Sequence, residues 1–223
     1  MARPGQNDTR SRRVGLIIAA ACAAIALPTL IVLFSVAGKS ASPWFGQYDA
    51  DTHPAYDFSL TDQNGKTVRL QDLRGQAVLL AFGFTRCPNI CPTTLGNLAA
   101  AFRKLPPGAQ ERTKVAFVSV DERDTPASLK EYVPFFNEHF IGLTGPPADI
   151  GTTARAYGAF FRKADPVGDD KSDYMIDHST YVHLIDPDGN LRILYRFEQL
   201  PETEKIAGDV QGILRAADAG TKQ

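Results

Sequence analysis

The 223-residue sequence has only three cysteines, two methionines and one tryptophan, and its charges nearly cancel: 24 Lys+Arg face 25 Asp+Glu for a formal net charge of -1. Three cysteines are too few to staple a disulfide scaffold. The missing positive excess removes the electrostatic footprint of a nucleic-acid binder, so no nucleic-acid partner is expected. Internal repeats and low-complexity stretches are also lacking, while 43% apolar and 22% charged residues are ordinary material for one well-filled core. Cys22 stands apart from Cys87 and Cys91, which leaves a single close pair to be explained.

One long uncharged run is present, Val14 to Gly38, and its 25 residues exceed the roughly 20 that an α-helix needs to cross a bilayer. Arg3, Arg10, Arg12 and Arg13 precede it against one acid, Asp8, an asymmetry that keeps the N-terminus cytoplasmic and sends the rest across. Ser35-Val36-Ala37 resembles a cleavage site, but signal-peptide apolar regions are usually about 7 to 15 residues, so an uncleaved anchor is expected. Cys22, inside the run, is expected to be an inert membrane cysteine rather than a lipidation site. Residues 1–13 form a basic cytoplasmic tip too short for a transit peptide. The expectation is a single-pass protein of the bacterial inner membrane with its folded part in the periplasm. In that oxidising space a thiol pair ends as a disulfide unless something reduces it or a metal occupies it.

Beyond the run, 20 basic and 24 acidic residues leave a net charge of about -4. Residues 39–54 read as a linker with Trp44 and Phe45 resting at the membrane interface, residues 55–218 as the folded domain and 219–223 as a flexible tail. Within the domain, alternating Tyr56 to Thr61, the turn Asn64-Gly65 and Thr67 to Leu70 predict an N-terminal β-hairpin. Ala77 to Phe84 and Lys114 to Val120 are continuous apolar runs of strand length, as buried strands require. Pro92 is predicted at the first position of a helix reaching about Leu105, with Cys91 as its cap. Further helices are expected at Ser128 to about Phe136, Arg155 to Phe161 and Glu202 to Ala217. A hairpin is expected from Tyr181 to Ile185 and Leu191 to Phe197. Alternating strands and helices define an α/β class with a parallel-containing sheet covered on both faces.

Cys87 and Cys91 therefore fall at a strand-to-helix junction, where the positive helix end favours thiolate over thiol. A static disulfide closing so small a loop constrains little of the unfolded chain. Redox exchange or metal binding remains. Thiol-disulfide enzymes typically place two residues between their cysteines, whereas three give a wider loop able to open around an ion. Two thiolates are too few for structural zinc but suit Cu(I), a soft ion content with few ligands, and a third ligand is to be sought among four histidines. His53 falls in the linker, His139 follows Glu138 near a helix end, and His183 lies five residues after His178, an odd offset that puts it on the opposite face. His178 sits in a loop that the sheet could bring to the cysteines.

The motifs Phe84-Thr85 with Cys87-Pro88 and Cys91-Pro92, then Val120-Asp121 with Asp124-Thr125-Pro126, then Tyr174 with Asp177-His178-Ser179, occur in the order found in the Sco/SenC family, which the sequence resembles from about Tyr56 to the final helix. That resemblance implies a thioredoxin-like fold and a copper site built from Cys87, Cys91 and His178. Asp121 and Asp124 are separated by two residues where the family commonly has three, and capping the following helix is the reading adopted for them. The function implied is a copper chaperone, holding Cu(I) and possibly Cu(II), that supplies the dinuclear CuA centre of cytochrome c oxidase subunit II. A thiol reductant or another periplasmic copper carrier is implied as a further partner. The alternative is a thioredoxin-like thiol-disulfide oxidoreductase with a redox-active Cys87–Cys91 disulfide, in which Cys87 attacks and Cys91 resolves.

Overall fold

The computed structural model describes residues 44–164 and 174–220. The expected membrane run at Val14 to Gly38, Cys22 and the basic tip lie outside them, and no helix among the described residues is long and apolar enough to cross a membrane. In chain order the strands are β1 (Gln47–Pro54), β2 (Ser59–Asp62), β3 (Thr67–Arg69), β4 (Ala77–Gly83), β5 (Thr113–Ser119), β6 (Ile141–Thr144), β7 (Phe161–Lys163), β8 (Ile176–His178), β9 (Val182–Ile185) and β10 (Asn190–Tyr195). The helices are α1 (Ile90–Arg103), α2 (Pro107–Glu111), α3 (Pro126–Tyr132), α4 (Pro147–Ala156) and α5 (Thr203–Gly220).

Eight strands form one sheet in the order β1-β10-β9-β4-β5-β6-β2-β3, and β7 pairs with β8 in a separate ribbon. The apolar runs occupy the centre, where all seven residues of β4 and all four of β9 are buried, so both faces of the sheet are covered there. β4 runs parallel to β5, and β5 parallel to β6. Such connections need crossovers, which α1 with α2 and then α3 supply. β9 runs antiparallel to β4, pairing Val182 with Ala81. The loops leaving β4 and β5 and the loop entering β9 consequently meet at one end of the sheet, where ligands of α/β proteins bind.

The predicted hairpin is present as β2 and β3, turned by Gly65 at φ 80° and by the Asp62 carboxylate, which accepts the N–H groups of Asn64 and Lys66 at 2.8 Å. Other expectations shift. Residues 44–54, expected as linker, belong to the folded unit that begins at Trp44. The Asp209 carboxylate accepts the N–H of Phe45 at 3.0 Å and of Gly46 at 3.2 Å, and β1 pairs with β10. Trp44 and Phe45 pack against the core instead of waiting at an interface. Arg155 to Phe161 is not a helix: α4 closes at Ala156, Gly158 at φ 64° turns the chain, and β7 opens at Phe161. Helix α5 continues to Gly220, into the expected tail.

Candidate metal centre

Cys87 lies in the loop after β4, held by its N–H to the Phe84 carbonyl at 3.3 Å. Helix α1 begins at Ile90, so Cys91 stands within its first turn rather than at the cap, and Pro92 is the third helical residue rather than the first. The proline costs nothing there, because the first N–H groups of a helix have no partner within it. Cys91 is 2% exposed and rests on Gly83, where a Cβ would come within 2.7 Å of its Sγ. Glycine at the end of β4 thus leaves room for the sulfur.

His178 closes β8, and its ring meets that of Phe84 edge-on at 5.7 Å. Its Nδ1 lies 2.8 Å from the Ser179 carbonyl, which can only accept, and its Nε2 faces the Cys91 Sγ at 3.3 Å. A proton on Nδ1 leaves the Nε2 lone pair for a ligand, the arrangement that orients metal-binding imidazoles. The donor atoms of Cys87, Cys91 and His178 all lie within 4.8 Å of one another. With metal–thiolate bonds of about 2.3 Å and metal–imidazole bonds of about 2.0 Å, this separation needs only a small contraction to close on one ion. Cys87 and His178 line a groove with Phe84, Pro88, Ile90 and Met175, while Cys91 is buried beneath it.

The sulfurs are electrostatically unequal. The Cys91 side chain donates to Cys87, and the Cys91 and Asn89 N–H groups add to this, drawing the Cys87 thiol well below the ordinary range against its burial. Cys91 is pushed up by the hydrogen bond it gives to Cys87, by burial and by repulsion from the Cys87 thiolate. The pair therefore shares one proton, held on Cys91.

The other histidines do not join them. His183 is 4% exposed, between Phe82 and Tyr157 with ring centroids at 6.5 and 5.3 Å, and His53 and His139 are on the surface. Asp121 and Asp124 are not the caps of α3. Thr125 is, its hydroxyl accepting the Ser128 N–H at 3.2 Å. Both carboxylates instead turn inward, 2% and 5% exposed. Asp124 binds Thr85 and Ser119. Asp121 binds Arg123, whose guanidinium outweighs burial and holds the carboxyl below its usual range. Their signal in the sequence is a pair of acids at the C-terminal end of a buried strand, the same sheet end that the cysteine loop occupies.

A mixed α/β sheet with a close Cys–Cys–His cluster at the carboxyl end of its central strand defines a thioredoxin-like protein equipped to hold a soft metal. Residues 47–215 match the SCO1/SenC family model, and the chain belongs to that family. It is 41% identical over 139 residues to SCO1 homolog 1, mitochondrial, of Arabidopsis thaliana, covering 62% of this chain and 41% of that protein. The match spans 41% of the length of that relative, 50% of the Bos taurus SCO2 homolog and 64% of a Stutzerimonas stutzeri copper-binding protein. Among solved structures it resembles Bradyrhizobium japonicum ScoI with copper bound, at a TM-score of 0.64 and 35% identity, covering 72% of this chain and 99% of that one. It also resembles BsSco, described as a Sco-family cytochrome c oxidase assembly protein with a disulfide switch, at a TM-score of 0.59 and 26% identity, covering 75% and 96%.

Proposed function

We propose that the protein is a copper chaperone whose cargo is held by the Cys87 and Cys91 thiolates and the His178 Nε2. The observation that carries this reading is the approach of those three donors to within 4.8 Å. Two sulfurs and one imidazole form a soft, under-filled donor set, which suits copper better than the hard cations that prefer oxygen. A three-coordinate ion can accept an incoming thiolate before it leaves, so transfer proceeds by ligand exchange without free copper. The recipient proposed is the CuA centre of cytochrome c oxidase subunit II, with membership of the family and the oxidase-assembly role described for BsSco as support. The uncharged run at residues 14–38 and its basic flank support a single-pass anchor in the bacterial inner membrane with a periplasmic domain. Such a tether raises the effective concentration of donor near a membrane-bound recipient.

The test is copper titration of the reduced full chain against its His178→Ala and Cys87→Ala variants. Wild type takes up one copper with a thiolate-to-copper absorption, Cys87→Ala loses it, and His178→Ala weakens the site. An unchanged affinity and spectrum in His178→Ala would end the three-ligand reading.

The unequal cysteine pair favours a second reading, disulfide exchange. The Cys87 thiolate attacks a partner disulfide and expels one partner thiolate. Cys91, losing its proton, then attacks the Cys87 sulfur and expels the other. The partner gains two electrons, the Cys87–Cys91 pair becomes a disulfide, and a thiol reductant must restore it. Full disulfide-reductase activity in His178→Ala, with no copper uptake by wild type, favours this reading over the first.

A further inference from the structure

His178 is carried by the β7–β8 ribbon, which is not hydrogen-bonded into the main sheet. The ribbon has three paired positions, among them Phe161 with His178. It borders both a cleft lined by Phe161, Ile176, Thr144 and Asp121 and the groove lined by Cys87 and His178. The ribbon is held by its three-pair ladder and by side-chain contacts, among them the Lys163–Glu122 ion pair, and a metal site needs its ligands held to about 0.5 Å.

A clasp lies four residues upstream of the histidine. Tyr174 is 9% exposed, and the Arg123 guanidinium lies 3.6 Å above its ring. The same guanidinium donates Nη2 to the Tyr174 carbonyl at 2.9 Å. It donates Nε and Nη2 to the Asp121 carboxylate at 2.9 and 2.7 Å, and the Tyr174 hydroxyl approaches Asp121 Oδ1 at 3.5 Å. The Asp121 side chain is wholly inaccessible and stands 3.7 Å from Arg86, the residue before Cys87. One buried carboxylate thus connects the cysteine loop with the start of the histidine strand, and Arg123 is the bridge. Only a planar cation with several donors can stack on a ring, chelate a carboxylate and reach a carbonyl together.

We propose that Arg123 is a positioning residue for His178: by clasping Tyr174 to Asp121 it holds the histidine strand at binding distance from Cys87 and Cys91. The inference rests on the copper reading for its functional meaning and on the ribbon's separation from the main sheet for its physical content. Its test uses the full chain with Arg123→Lys, which keeps a cation beside Asp121 but loses the fork, and Tyr174→Leu, which keeps an apolar side chain but loses the aromatic stack. Each is made alone and combined with His178→Ala.

Competition titration with a copper chelator is expected to show about tenfold weaker binding for Arg123→Lys, the low end of the cost of removing a group that orients a ligand. No further loss is expected in the His178→Ala background, because the effect passes through the histidine. In metal-free protein, amide exchange at Ile176 to Ser179 is expected to accelerate about tenfold, with β4 unchanged, as for a local opening. Equal losses with and without His178, or unaltered exchange of the ribbon in both variants, overturn the proposal. A wild type that binds no copper defeats the copper reading instead, and the exchange measurement still decides whether the clasp holds the ribbon.

Discussion

Thr85 gives both its backbone N–H and its hydroxyl to the Asp124 carboxylate, at 2.8 and 2.5 Å. The Ser119 hydroxyl adds a third bond at 2.6 Å. This carboxylate straps the end of β5 to the loop that carries Cys87. Asp124→Ala leaves three donors without their acceptor in a site that is 5% exposed, and the expected loss is about 3 kcal/mol of folding stability. Asp124→Asn keeps part of the strap and is expected to lose about half as much. Urea unfolding measures both as a fall in midpoint at unchanged slope. An Asp124→Ala protein as stable as wild type would show that the strap contributes nothing.

The shared proton predicts unequal reactivity. In the reduced, metal-free chain, Cys87 is partly exposed and held as thiolate, while Cys91 is buried and protonated. An ordinary cysteine with a pKa of about 8.5 loses nearly tenfold in alkylation rate for each pH unit below it. Cys87 is expected to react with iodoacetamide at a nearly constant rate from about pH 8 to about pH 6, because its thiolate persists through that range. Cys91 should react far more slowly throughout. Peptide mass spectrometry reads each site. A tenfold decline per pH unit at Cys87 would contradict the assignment of the proton.

His183 predicts the pH dependence of stability. Both of its ring nitrogens are buried without a hydrogen-bond partner, and burial draws its pKa down to about 4. In the unfolded chain a histidine titrates near about 6.5. Between these values the unfolded state takes up a proton that the folded state refuses. Stability is therefore complete above about pH 6.5 and falls as the pH drops towards about 4, by about 3 kcal/mol in all. His183→Leu removes the charging group and two unpaired nitrogens. It is expected to match or exceed wild-type stability at neutral pH and to flatten this part of the profile. Unfolding free energies of both proteins across that range decide the matter, and parallel profiles would acquit His183.

What the sequence made legible is what burial writes into it. Ala77 to Phe84 and Lys114 to Val120 announce β4 and β5 because strands covered on both faces must be apolar throughout. Cys87, Cys91 and His178 announce themselves through residue types with little other use. β1 and the β7–β8 ribbon leave no such trace. Gln47–Pro54 and Phe161–Lys163 are largely polar, and their pairing is made by backbone groups that every residue carries. Asp121 and Asp124 precede a helix, so local reasoning assigned them to its cap. Their partners Thr85 and Tyr174 are distant in sequence and become neighbours only when three loops meet at one end of the sheet.

Gly83 joins that packing to the candidate metal centre. A Cβ there would stand 2.7 Å from the Cys91 Sγ and 2.7 and 3.0 Å from two atoms of the Phe117 ring. Phe117 is 1% exposed in the centre of the sheet and cannot retreat without disturbing its neighbours. Gly83→Ala is therefore expected to cost about 1–3 kcal/mol through overpacking. Cys91, in the first turn of a helix, is the easier atom to displace, and its displacement disturbs the 3.3 Å approach of its sulfur to His178. Copper affinity should fall by about tenfold or more, as when a ligand loses its orientation. Gly96→Ala in α1 is the control, because nothing lies within 4 Å of its added Cβ and alanine should stabilise the helix by about 0.5–1 kcal/mol. Urea unfolding and chelator competition on both variants separate the two effects. Reduced stability with full copper affinity in Gly83→Ala would mean that Phe117 moves and the sulfur stays.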